Sequence, residues 1–116
     1  MSLMEDWKAY GRSLFGRVGE IAQLNPEAVR GIQAIEKSVE KSRKLDAKTH
    51  ELIALAVAVT TRCDGCIARH TKLAIDVGVT REEIAEALST AIALNAGAAL
   101  TYSARVFDAL DAHSQS

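Results

Sequence analysis

Residues 63–70 read Cys63-Asp64-Gly65-Cys66-Ile67-Ala68-Arg69-His70. Each residue of an α-helix turns by about 100°, so with Cys63 at zero, Cys66 falls near about 300° and His70 near about 340°. The three side chains then share a sector of about 60°, whereas a strand would divide them between two faces. The spacing predicts a helix with Cys63 at or near its start.

That position has chemical consequences. A free thiol has a pKa of about 8.5, and the thiolate is the nucleophile. The N–H groups at a helix start favour an anion there, and a neighbouring imidazole can accept the proton. Cys66 and His70 are four apart and adjacent on a helix face. Cys63 and Cys66 are three apart, close enough to close a small disulfide. Two thiols, a base and a helix start are the parts of a thiol redox centre. Glu51, twelve residues before Cys63, falls where a helix, a turn and a second helix would fold it back against His70. A carboxylate there orients the ring and raises its basicity. A glutamate near a helix start also suits the helix dipole, and spacing alone leaves both readings open. Two further readings of the cysteines stand beside the redox one. They can be buried small hydrophobes, or zinc ligands with His70 and Glu51 or His50. Zinc is the weaker, because neither a second CxxC nor a HxxxH is present. His50 and His113 stand alone and read as solvated surface residues.

Outward from this segment the chain divides into helix-length pieces. Trp7 to Ala22 contains Gly11, Gly16 and Gly19 and reads as a weak or broken helix. Asn25-Pro26-Glu27 starts a second helix, with an apolar stripe at Ala28, Val29, Ile32, Ile35 and Val39. Its far end, Lys37 to Lys48, is basic-rich and reads as a solvated helix end and loop rather than an anion site. Asp46 caps a third piece running to Thr60. There Ile53, Leu55, Val57 and Val59 alternate with alanines as a strand would, but length, alanine content and the lack of Gly or Pro favour a helix buried on most sides. The fourth piece, Cys63 to Val77, ends at Gly78. The fifth opens with Thr80-Arg81-Glu82-Glu83, a capping box, and runs to about Leu110 before a frayed tail from His113. Its face of Ile84, Leu88, Ala91, Ile92, Asn95, Ala98, Ala99 and Tyr102 invites close approach of another helix, and Ala91, Asn95, Ala98 and Ala99 are expected to pack against another subunit.

Composition agrees with an all-α, single-domain chain over residues 1–116. Of the 116 residues, 48% are hydrophobic, which suffices for a core, while 20 are alanine and only 4% aromatic, which suits closely packed helices. A formal net charge of −1 indicates neither nucleic acid nor an anionic membrane as partner. No run of about 18 uninterrupted apolar residues predicts a membrane span. Met1 to Leu3, before a second methionine at Met4, are set aside. The first ten residues carry Glu5 and Asp6 and lack a signal-peptide layout, so the cytoplasm is expected. There a cysteine pair is more often catalytic than a structural staple. Five short helices in one small protomer, with no clear polar side to Leu52 to Val59, predict an oligomer with closed symmetry.

Glu51, eleven residues, Cys63, two, Cys66, three, His70, followed by the Gly78 turn and an alanine-rich helix, resembles the AhpD-like superfamily, which includes carboxymuconolactone decarboxylase. The likeness is strongest over residues 26–108. It implies an AhpD-like helical bundle of about five helices assembled as a homo-trimer or homo-hexamer. By resemblance to the alkyl hydroperoxidase D branch, Cys66 attacks a hydroperoxide and Cys63 donates a proton and resolves the intermediate into a redox disulfide. His70 and Glu51 form the proton relay. A small disulfide is the other implied substrate class, and a dihydrolipoyl or thioredoxin-like partner the implied reductant. No cofactor or metal is implied. Peroxidases of this branch often carry a histidine between the two cysteines, and here that place is Gly65. The decarboxylase branch typically lacks the cysteine pair. A decarboxylase-like enzyme and a non-catalytic redox-sensing assembly are the alternatives to a peroxidase.

Overall fold

The computed structural model describes Leu3 and residues 6–115. Its elements in order are α1 (Trp7–Leu24), α2 (Pro26–Ser42), α3 (Ala47–Thr61), α4 (Asp64–Asp76) and α5 (Arg81–Ser114), with no strand among the described residues. Short-range chemistry sets most of the boundaries. The Asp46 carboxylate accepts the Thr49 N–H at 2.8 Å. Thr80 Oγ1 accepts the Glu83 N–H at 3.1 Å while the Glu83 carboxylate accepts the Thr80 N–H at 2.8 Å, so both halves of the capping box form. Asn25 precedes α2 without a side-chain cap bond, and that start rests on Pro26 at the first helical position. Gly78 takes φ 81° after α4, a conformation that glycine adopts without strain. The Val79 N–H then returns to the Ala74 carbonyl at 2.9 Å, and Val79 turns into the core.

In space the helices lie in the order α2, α1, α4, α3, α5. The central helix α3 packs on α4 to one side and α5 to the other, whereas α2 touches only α1. Leu55, Ala74 and Val79 form the buried core, with Leu52 and Ile84 packed against it. Small residues set the second contact of α3. Ala58 and Ala91 are buried, and the Asn95 amide donates to Thr60 Oγ1 at 3.0 Å and to the Ala91 carbonyl at 2.7 Å.

Several expectations change. The first helix is continuous over 18 residues. Asp6 caps it through the Ala9 N–H at 2.9 Å, and half-buried Trp7, Tyr10, Leu14 and Val18 give it a helical stripe. That stripe offsets a cost of roughly 1 kcal/mol for each interior glycine. The α3 helix is packed on two neighbours but keeps one face open. Glu51, Leu55 and Ala58 point inward while Ile53, Val57 and Val59 are exposed, so the alternating pattern is split by helical rotation. Ala91 and Asn95 face α3 of the same chain, leaving Ala98 and Ala99 exposed. The last helix continues through Ser114, past the expected frayed start at His113, and Ser116 lies outside the described residues. Despite its polar interruptions, α5 is long and apolar enough to cross a membrane by length and composition; its first half is instead docked on α3.

Much apolar surface stays open. Ile32 and Ile35 on α2 are 60% and 68% exposed, and Ile92, Leu100 and Phe107 on α5 are similarly open. The accessible surface is 9509 Å², against about 6,200 Å² expected of a folded monomer of this mass. The radius of gyration is 18.9 Å, against about 13 Å for a compact domain of this length.

Leu55→Ala removes the central core side chain and is expected to cost about 2–5 kcal/mol in urea denaturation. The caps predict an acid dependence. Glu83 titrates below its ordinary 4.5, chiefly because its carboxylate accepts the Thr80 backbone N–H. Asp46 titrates below 3.8, chiefly through the Thr49 backbone N–H. A depressed folded-state pKa stabilises above the unfolded value, and that contribution fades as pH falls through the folded one. Glu83→Gln is therefore expected to lose less of its urea midpoint than the parent protein as pH falls below 4.5.

Candidate active site

The site begins where α3 ends. Arg62 reverses the chain in the left-handed region at φ 55°, ψ 51°, and its N–H returns to the Ala58 carbonyl. The Cys63 N–H bonds the same carbonyl at 3.0 Å. This two-donor closure satisfies a helix end and leaves Cys63 as the N-cap of α4. The Cys63 Sγ accepts the Cys66 N–H at 3.1 Å. Cys63 and Cys66 are joined as a disulfide with Cα atoms 5.2 Å apart, and both are half-buried. When the pair is reduced, the same N–H groups and dipole end favour a thiolate there.

His70 follows Cys66 by one turn on α4. Its Nδ1 lies 2.7 Å from Glu51 Oε2 across the α3–α4 contact. Glu51 is only 8% exposed and is the one buried charged residue among those described. A carboxylate that is buried must find a partner, and the Nδ1–H donates to it. Ring orientation is thereby set, and Nε2 is the nitrogen left to take up a proton.

The four residues expected to act together thus form two linked pairs. Cys63 is bonded to Cys66, and Glu51 to His70. His70 has no hydrogen bond to either sulfur among the described residues, so the two pairs are connected through one turn of α4. Between the two readings of Glu51 that spacing left open, the structure selects the His70 partner. His50 is half-buried rather than fully solvated, and it stays outside the cluster. His113 is exposed near the end of α5. One neighbour escaped the sequence reading. Leu14 of α1 lies over Gly65, its Cδ2 2.5 Å from where a Cβ on residue 65 would stand. The α1 stripe marks Leu14 as inward-facing, but no local signal shows which helix it meets.

A CxxC pair at a helix start, braced by a buried carboxylate–histidine pair from two packed helices, defines a small all-α protein with a thiol site. Residues 26–109 match the carboxymuconolactone decarboxylase family, and the chain belongs to that family. An uncharacterized protein of Haemophilus influenzae is 47% identical over 107 residues, covering 92% of this chain and 95% of that protein. One from Cupriavidus necator is 36% identical over 97 residues, covering 81% and 86%. Among solved structures, the apo form of a carboxymuconolactone decarboxylase family protein from Legionella pneumophila superposes with a TM-score of 0.71 at 30% identity, covering 93% of this chain and 96% of that one. A protein from Methanobacterium thermoautotrophicum gives 0.68 at 30% identity, covering 77% and 97%.

If His70 takes the thiol proton, His70→Ala should slow alkylation of the reduced protein at neutral pH and move its midpoint toward about 8.5. Glu51→Gln should act in the same direction more weakly, because it changes only how the imidazole is held. Iodoacetamide rates across pH measure both. Unchanged profiles in both variants would leave the helix start as the sole source of activation.

Proposed function

We propose that this chain is a thiol-dependent peroxidase that reduces hydroperoxides through Cys63 and Cys66. The observation that carries the reading is the disulfide at the first turn of α4, with a Glu51-bonded histidine one turn beyond it. In the reduced protein the Cys66 thiolate attacks the terminal peroxide oxygen. The O–O bond breaks, Cys66 becomes a sulfenic acid, and the alkoxide leaves as alcohol with a proton delivered from Cys63 or His70. The Cys63 thiolate then attacks the Cys66 sulfur, expelling water and forming the disulfide. Two electrons from a dithiol, of dihydrolipoyl or thioredoxin-like type, restore the thiols. Glu51 holds His70 in the orientation that passes the proton.

Peroxide consumption with a dithiol reductant tests this. Cys66→Ser should abolish it, and Cys63→Ser should accumulate sulfenic acid on Cys66, since no resolving thiol remains. A sulfenic adduct on Cys63 in Cys66→Ser, formed at the parent rate, would reverse the two roles. Oxidation without turnover would make the chain a redox sensor. Full activity toward a lactone acid in a variant lacking both cysteines would make it a decarboxylase.

We also propose that the working form is a homo-trimer or a dimer of such trimers. The supporting observations are the open stripe of α2 and the exposed outer face of α5, surfaces that closed symmetry would cover. Light scattering at micromolar concentration, without detergent, should give a multiple of the chain mass. A monomer that retains full helicity and thiol reactivity would refute the assembly.

A further inference from the structure

We infer that Arg69 is a specificity-determining residue of the cysteine pair, and that its guanidinium favours reactants carrying a carboxylate. The inference deepens the thiol reading above and rests on Cys66 acting as a reactive thiolate. Three observations carry it. Arg69 follows Cys66 by three residues within α4, about 60° round the helix, and side chains at that spacing are neighbours on a helix surface. Helical side chains also lean toward the N-terminus, so Arg69 leans back over the turn that holds Cys66. Secondly, Arg69 is exposed and makes no ion pair among the described residues. Arg17, Arg30 and Lys72 are bonded to Glu20, Glu27 and Asp76, carboxylates three or four residues away on their own helices. The same places around Arg69 hold Gly65, Cys66, Lys72 and Leu73, and of these only Cys66 can become an anion. Finally, the neighbouring carboxylates are turned elsewhere. Asp64 stands about 160° round α4 from Cys66, and Glu51 is bonded to His70.

A guanidinium stays charged at any working pH, and its forked donors match a carboxylate. Beside the thiolate it attracts an anionic group of the incoming reactant. A unit charge about 6 Å away across water changes the encounter with a unit anion about threefold. Under the peroxidase reading, the favoured class is therefore a hydroperoxide that bears a carboxylate, over its neutral ester. Arg69 acts on the reactant's charge and takes no part in proton transfer, which stays with His70 and Glu51.

The test compares iodoacetate with iodoacetamide, alkylating probes of similar size that differ by one negative charge. The reduced full-length chain is used, and adducts on Cys66 are counted by peptide mass. The quantity read is the ratio of iodoacetate to iodoacetamide rate constants, in which the thiolate fraction cancels. Arg69→Gln should lower the ratio about threefold at low salt, and Arg69→Lys should keep most of it. Salt at about 1 M, where charges are screened within about 3 Å, should bring the parent ratio down to that of Arg69→Gln. Lys72→Gln makes the same change in net charge about 120° round α4 from Cys66, and should leave the ratio as it is. An unchanged ratio in Arg69→Gln would overturn the inference, as would a parent ratio that salt does not move. An equal fall in Lys72→Gln would put the preference down to net charge, and Arg69→Lys matching Arg69→Gln would exclude the positive charge as its cause; either also overturns it. Alkylation needs no peroxide turnover, so failure of the peroxidase reading and failure of this inference appear in different measurements.

Discussion

The hydrogen bond between Glu51 and His70 is the constraint on which the site and the surrounding packing depend. A carboxylate taken out of water is costly unless its charge is met, and Glu51 lies on the inward face of α3 together with Leu55 and Ala58. Its partner has to come from the neighbouring helix. The 2.7 Å bond to His70 therefore sets the register of α4 against α3, and with it the place of Cys63 and Cys66. The chain reversal at Arg62 makes the residue that ends one helix's closure the cap of the next. Satisfying a buried charge and placing a histidine one turn from the two cysteines are here one structural event.

What could be read in the sequence follows the range of the forces involved. Asp46, Thr80 with Glu83, Gly78 and Cys63 act on backbone groups within a few residues, so they mark helix ends without knowledge of the fold. The shared face of Cys66 and His70 is likewise a property of one helix. Partners from another helix were legible only where chemistry demanded them, as Glu51 did for His70. Ala91 and Asn95 look the same whether they face α3 of their own chain or another subunit. The glycines of α1 signal weakness, and the stripe of Trp7, Tyr10, Leu14 and Val18 that overcomes it depends on α4 being there to receive it.

The arrangement of layers gives the cysteine pair an unusual position. With α2 resting only on α1, and α1 only on α4, the arm hangs from the helix that carries the disulfide. The open stripe of α2 needs cover, because Ile32 and Ile35 present apolar area whose burial is worth roughly 25 cal/mol per Å². A contact made on that stripe would reach the helix of the sulfurs only by way of α1, and neither Ile32 nor Ile35 lies near the site in sequence.

Gly65 shows how the same residue reads differently at the two levels. Against the family pattern it is a missing polar side chain between the cysteines. In the fold it is space, and Leu14 occupies that space. A side chain at residue 65 would meet the Leu14 methyl, which would have to swing aside to admit it. His70 with Glu51 is the only histidine–carboxylate hydrogen-bonded pair among the described residues.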